Sequence, residues 1–445
     1  MVPVTSLMRR IPRFPDLGLG YLATAIRNSG HNVSVRSWNM DPSVKDFKRY
    51  IQENSFDIIG IKVFTKDVAA AKKTIRIIQS VSPHTVIILG GPHPSTSEPE
   101  EVMSDFPESD FIFRGEAEIG LPLLIQLIGE KRKNTSQNLK GIPGLVWREG
   151  DAIHSNSPVF VSDMDAFGIP LWDLMTPKTY KAPGIPGGPV HGNTAPIIVT
   201  RGCSSRCTYC AAYKINGKKV RSRSAKAVVE EIGLLHDQYN VRHLAVMDTR
   251  FTQNEGIVTE ICEGIVKNNL HIAWDCIGYQ GLTSLNKDTL QSMKRAGCRF
   301  INVGIETGSD AIRKRIKKQA MTMEIFEKVQ QIKDTGIDIR AFFMLGFPGE
   351  TKRDIQETID YAFSLSVESV QFDIVCPHPG TDLLGYLKER YCVEKIDWEK
   401  FDVYTSPYPL SEISSKELYR ILKKVRRRIF FGMARRKLTG LQIIC

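Results

Sequence analysis

Long apolar runs are missing from this 445-residue chain. No stretch reaches the roughly 18 apolar residues that a membrane-spanning helix requires, so none is expected to cross a bilayer. The opening residues, MVPVTSLMRR, lack the basic-then-apolar order of a secretion signal. Paired cysteines are lacking too. The nine cysteines are odd in number and only three are clustered, which argues against a disulfide framework and for a reducing, cytoplasmic compartment. Sequence repeats and low-complexity tracts are absent. Most of the chain also lacks a charge excess. Of the net +11, the larger part lies after Ser414, where ten Lys or Arg face the single acid Glu417. The basic balance therefore describes a tail and not a nucleic-acid-binding surface over the whole protein. What is present is a 42% apolar composition, enough to fill the cores of two or three domains.

Strand-like and helix-like segments alternate from residue 16 to 130. Leu17–Ser29 reads as a helix, Asn32–Trp38 as a strand, Asp57–Val63 as a buried parallel strand and Val68–Ser80 as a helix. Thr85–Leu89 and Phe111–Phe113 are further strands, and the first strand, Val2–Leu7, is short and interrupted by Pro3. Leu145–Trp147 and Ala152–His154 flank a turn with Gly150, and Pro170–Gly192 reads as a Pro/Gly-rich linker. Six strand–helix units follow from Ala195, and a last helix spans 414–430. The expected class is α/β. A Rossmann-like doubly wound parallel sheet covers 1–140, a hairpin and linker 141–193, a partial (β/α)6 TIM-like barrel 194–390, and a basic helical region 391–445.

The first barrel strand, PIIVT, runs directly into Arg201-Gly-Cys203-Ser-Ser-Arg-Cys207-Thr-Tyr-Cys210. Three thiolates at C-x3-C-x2-C can occupy three corners of a [4Fe–4S] cube and leave the fourth iron open. That iron can bind the amino and carboxylate groups of S-adenosylmethionine (SAM) and pass an electron into its sulfonium, which releases a 5′-deoxyadenosyl radical. A structural zinc site wants four ligands, and no fourth Cys or His lies close by. Ordinary buried cysteines are the other bland reading.

The motif resembles the radical SAM signature, with the aromatic Tyr209 before the last cysteine, the residue that packs near adenine in that family. The segments MDTRFT (247–252), GIETGS (304–309), FMLGFPGET (343–351) and PHPGT (377–381) are similar, in order and spacing, to the strand-end motifs of radical SAM proteins with an N-terminal cobalamin-binding domain. LGLGYLA (17–23), IGIKVFT (59–65), LGGPHPS (89–95) and RGEAE (114–118) extend the resemblance upstream, so that it covers about residues 14 to 385. It implies that Glu306 and Ser309 hold the amino acid part or ribose of SAM, and that Arg340 pairs with its carboxylate. The bland readings are a helix-start acid for Glu306 and a surface charge for Arg340. Thr65, Gly90, Gly91, Pro92 and His93 stand at strand ends of an open α/β sheet, where ligands bind. The resemblance implies cobalamin there, with no histidine ligand to cobalt, and His93 itself reads as a loop residue. An empty Rossmann-like cap over the barrel is the alternative.

Thr249 and Arg250 depart from a pattern that often shows two acids, and Tyr279 stands where that pattern often places Arg. Both departures face the expected substrate side. The resemblance implies methyl transfer to an unactivated carbon of an organic substrate. The alternatives are radical oxidation, cyclisation or rearrangement, and a non-catalytic iron–sulfur or cobalamin-binding sensor. An electron donor such as flavodoxin or ferredoxin is the implied partner. The basic last helix is expected either to pack on the barrel or to lie peripherally on an anionic membrane. Nucleic acid is not expected, because the tail's aromatics do not interleave with its basic residues.

Overall fold

The computed structural model describes residues 2–3, 14–36, 43–130, 136–179, 192–282, 285–398 and 408–439. The apolar runs of the first third become strands β1 (Val2–Pro3), β2 (Ile58–Lys62), β3 (Val86–Gly90) and β4 (Phe111–Phe113), paired in parallel in chain order. The helices Leu17–Asn28 and Gly120–Gly129 bury Ile26, Leu121 and Leu124 on one face of this sheet. The helix Val68–Val81 buries Ala71, Ile75 and Ile78 on the other. Both faces are thus covered, as a parallel sheet requires.

Two sequence expectations change here. The hairpin of β5 (Leu145–Glu149) and β6 (Ala152–Ser155), which the sequence places in the connection, continues the sheet. β5 pairs antiparallel to β4, so the sheet is mixed and six-stranded. Leu145, Val146 and Trp147 cover what is otherwise an open edge at β4. The strand expected at Asn32–Trp38 does not form over its described part, 32–36. Of Val2–Leu7, Val2 and Pro3 pair with Ile61 and Lys62, and the remainder lies outside the described residues, as do 180–191 of the expected linker.

The second sheet contains β7 (Asn193–Ile197), β10 (Val241–Val246), β11 (Ala273–Gln280), β12 (Cys298–Glu306), β13 (Asp338–Leu345) and β14 (Ser369–Ile374). All are parallel, in the order β14-β13-β12-β11-β10-β7, with helices between them as the sequence predicts. The short ribbon of β8 (Thr200–Arg201) and β9 (Arg221–Ser222) frames the cysteine loop. Ile301, Val303 and Ile305 of β12 and Ile339, Ala341 and Phe343 of β13 pack toward the helices. Alternation therefore leaves Asn302, Glu306 and Arg340 on the inner face of this partial barrel.

β7 and β14 are its open edges. The helix Ser415–Thr439 lies against β14 and buries Leu418, Leu422 and Val425 in the barrel core. Its Arg426 donates to the Phe372 carbonyl at 3.1 Å and pairs with Asp373 at 3.0 Å. One apolar cluster unites the two halves, since Ile75 and Phe106 of the first domain share it with Phe347, Leu384 and Trp398 of the second.

Candidate active site

Gly202 opens the cysteine loop at φ +101, where a Cβ would stand 2.1 Å from the Lys219 carbonyl, so only glycine fits. Three backbone hydrogen bonds then shape the loop. Cys203 N–H donates to Gly217 O at 3.0 Å, Cys210 N–H to Cys207 O at 3.1 Å, and Thr208 N–H to Ile316 O at 3.1 Å. Leu383 N–H donates to Thr208 O at 3.0 Å, which ties the loop to the segment after Pro377–Thr381. All three cysteines are free thiols and half-buried. Burial pushes Cys207 up, and Cys210 up to about 11. A bound metal reverses this, because a coordinating thiol is deprotonated outright. Among the described residues no three His, Cys, Asp or Glu side chains converge closely enough for one metal ion. A cubane places each thiolate on a different iron, so three cysteines on one short loop fit a cluster whose fourth iron stays open.

Tyr209 is half-buried against the Phe347 ring, with centroids 5.7 Å apart, and burial, then the nearby Glu306 carboxylate, pushes its phenol up. Glu306 closes β12 at φ +76, left-handed backbone on a buried side chain, and pairs with Lys318 at 3.0 Å. The strained turn is held by Arg313, whose fully buried guanidinium donates to the Ile305 and Thr307 carbonyls at 2.6 and 3.2 Å on either side of Glu306. Further bonds to Ala320 O at 2.7 Å and Gln319 O at 3.0 Å complete the clamp. The loop cysteines, Tyr209 and Glu306 thus meet at one rim of the barrel. Ser309 caps the helix Asp310–Arg315, and its hydroxyl donates to Asp354 at 2.9 Å. Arg340 does not join the group. The β12–β13 register sets it opposite Asn302, three residues before Phe343, the partner of Glu306, or about 10 Å deeper. Its guanidinium lies 5.5 Å from the Phe300 ring centroid.

A cavity of about 1240 Å³ opens between the domains. Lys62, Gly90, Gly91, Pro92 and Ser95 form its sheet side, and Arg201, Gly202, Asp248 and Thr249 its barrel side. Its inner end runs between the helices Leu17–Asn28 and Gly120–Gly129, along Leu22, Ile26, Ile125 and Ile128. Gly91 holds φ +100 with Lys62 Cγ 2.8 Å from a would-be Cβ, while a Cβ on Gly90 would meet Phe113 O only at an ordinary 3.9 Å. This bare backbone beside an apolar groove fits a large planar cofactor with a nucleotide tail.

His93 is corrected. Pro92–Thr96 is a short helix that turns Pro92 and Ser95 to the cavity and His93 into the core, fully buried between Phe106 and Trp398. Burial, then Lys72, pushes it down to about 4. The ring is held by Thr65, whose hydroxyl is 3.3 Å from Nδ1, so neither side chain lines the cavity. Asp248 lines the cavity, but its carboxylate is committed to the backbone, accepting from Val199 N–H at 2.9 Å and from Thr200 N–H. The Tyr279 side chain lies outside the described residues.

Sequence reasoning missed the cavity's charged wall. Arg201 pairs with Glu118 at 2.7 Å and with Glu116 at 3.5 Å, and Arg221 meets both Glu116 oxygens, all four residues buried. Their only signal was position: RGEAE on one domain, Arg201-Gly202-Cys203 and Arg221 on the other.

Two family models match, the Radical SAM superfamily over residues 197–362 and the B12 binding domain over residues 12–125. An uncharacterized methyltransferase of Pyrococcus horikoshii is 28% identical over 95% of this chain and 89% of that protein. An anaerobic magnesium-protoporphyrin IX monomethyl ester cyclase of Rubrivivax gelatinosus is 25% identical over 95% of this chain and 74% of that protein. The solved structure of the radical S-adenosylmethionine methyltransferase TsrM from Kitasatospora setae, with cobalamin and [4Fe-4S] cluster bound, superposes with a TM-score of 0.74 at 18% identity, covering 92% of this chain and 80% of that one. With the cysteine loop on its barrel rim and the cavity beside it, this chain carries a radical SAM superfamily domain behind an N-terminal B12 binding domain.

Proposed function

We propose that the chain is a cobalamin-dependent radical SAM methyltransferase acting on an unactivated carbon. One observation carries this reading: Arg201 and Gly202, which lead into Cys203, also form a wall of the cavity whose opposite wall is Gly90-Gly91. The cluster loop and the expected cobalamin site therefore border one space, as methyl transfer between their products requires. When bound, the cluster supplies an electron to SAM and cobalamin supplies the methyl group. The chain's own residues orient and seal. Glu306, strained and clamped, presents a carboxylate to the amino group or ribose of SAM, Tyr209 packs beside its adenine, and Gly90 and Gly91 admit the nucleotide tail. Arg340 stands too deep on β13 for the carboxylate contact expected of it, and Lys318, paired with Glu306, is the cation better placed.

The names of the relatives support both methylation and cyclisation in such proteins. Product analysis decides between them. Anaerobically reconstituted enzyme given SAM, hydroxocobalamin and reductant should form both 5′-deoxyadenosine, by reductive cleavage of SAM, and S-adenosylhomocysteine, by methylation of the reduced cobalamin. The first without the second points to oxidation or cyclisation, and neither to a sensor. The reductant is proposed to be a flavodoxin- or ferredoxin-type protein. No helix among the described residues is long and apolar enough to cross a membrane. The last helix spends its apolar stripe on the barrel, so peripheral membrane contact rests on what that packing leaves over, the exposed Phe430 and Phe431. Co-sedimentation with anionic vesicles at low salt tests it, and absence of binding removes it.

A further inference from the structure

Between Arg201 and Ser222 there are six Lys or Arg and no Asp or Glu. The fold sorts these six cations onto two faces of the cysteine loop. Arg201 and Arg221 turn inward and are neutralised by Glu116 and Glu118 at the cavity wall. Lys214 leans on Glu98 at 3.8 Å. Arg206, Lys218 and Lys219 turn outward, exposed, and have no acidic partner among the described residues. Lys218 and Lys219 line a second cleft, of about 640 Å³, together with Ser204. Ser204 is the residue after Cys203, one Cα step of about 3.8 Å away. The turn that carries both lysines is bonded to the ligand residue itself, through Cys203 N–H and Gly217 O at 3.0 Å. Glu255 is the one acid lining this cleft.

We propose that this cleft, with Lys218 and Lys219, and the exposed Arg206 on the cysteine loop together form the docking surface for a small acidic one-electron carrier protein. The inference rests on the reading that the three cysteines hold a redox-active [4Fe–4S] cluster. Such a cluster takes one electron per reductive cleavage from outside. The reduced carrier gives up one electron, the cluster gains it, and no bond or proton moves. The N-terminal domain closes the inner face of the loop through the buried ion pairs, which leaves the outer face as the approach. Positive charge unopposed at the rim steers an acidic partner and favours brief, salt-sensitive encounters over tight complexes. Redox encounters of this kind bury little area, which an open polar cleft satisfies.

The test uses the full chain, reconstituted anaerobically, with a reduced flavodoxin as protein donor and dithionite as small-molecule donor. Binding of flavodoxin is measured by calorimetry at several salt concentrations, and cluster reduction by stopped-flow absorbance and electron paramagnetic resonance. The triple variant Arg206→Glu, Lys218→Glu, Lys219→Glu should bind flavodoxin at least tenfold more weakly, and its cluster should be reduced by flavodoxin at least tenfold more slowly. Its reduction by dithionite should match that of the unmodified chain. Glu255→Gln should shift flavodoxin binding the other way and flatten none of its salt dependence. Unchanged flavodoxin affinity and rate in the triple variant overturns the proposal. So does equal slowing with both donors, which would report damage to the cluster loop. If dithionite reduces no cluster in the unmodified chain, the cluster reading itself fails, which is a separate result.

Discussion

At the scale of single residues, the cysteine set stands out in sequence because three candidate ligands within eight positions need nothing beyond the loop that carries them. Glu306 was legible as a strand-end acid, but what makes it unusual was not. Its left-handed backbone at φ +76 costs on the order of 1–3 kcal/mol. Arg313 and Lys318, which hold it, fall on it only because the chain turns back after the helix Asp310–Arg315. The burial of His93 is not legible in sequence, which does not say which side of the one-turn helix Pro92–Thr96 faces a cavity. Two outcomes are expected here. Replacing any one of Cys203, Cys207 or Cys210 by Ala should abolish the iron content and visible absorption of reconstituted protein. Glu306→Gln should leave the fold and the cluster spectrum intact while weakening SAM binding about 10- to 100-fold, the worth of a charge-assisted hydrogen bond. Equilibrium dialysis checks the second, and unchanged affinity would remove Glu306 from the SAM site.

At the scale of elements, the barrel units were readable because each alternates a β-rich apolar run with an amphipathic helix. The hairpin β5–β6 was placed in the connection because strand pairing is non-local, and nothing in residues 145–155 says that β4 has a free edge. The turn after β13 illustrates a cost hidden from sequence. Glu350 is fully buried, accepting from Gly346 N–H and from Phe347 N–H at 3.1 Å, with its other oxygen unpaired. Burial pushes its carboxyl up to about 7 from the ordinary 4.5. The folded state therefore holds this proton more tightly than the unfolded chain. Glu350 destabilises the fold progressively as pH rises from about 4.5 through 7, by up to roughly 3 kcal/mol. Glu350→Gln keeps the acceptor for both amides and removes the charge. Denaturant unfolding should show the variant level with the parent near pH 4.5 and more stable above pH 7. A constant difference across that range would refute the assignment.

At the scale of the whole molecule, the two domains are joined by charge as well as by apolar packing. Arg221 is buried with both Nη groups committed, to Glu116, to Val161 O at 2.8 Å and to Asn216 O at 2.7 Å. Arg221→Met should cost about 3–5 kcal/mol by leaving Glu116 charged and underpaired, and the double variant with Glu116→Gln should recover a large part of it. Unfolding free energies in a double-mutant cycle measure the coupling, and additive losses would show the pair to be independent. This tie was invisible in sequence because its partners stand 105 residues apart in the chain. The cover on β14 bears on how the protein is made. Arg426 caps a strand edge that is complete at Ile374. A ribosome adding about 5–20 residues per second leaves that edge open for roughly 3 to 10 seconds before its cover exists. Slower synthesis lengthens this interval, while cooling weakens the apolar contacts by which nascent barrels stick to one another. Recombinant yield should therefore depend on the balance of translation rate and temperature, and on chaperones that shield unpaired strands, more than on the stability of the finished molecule.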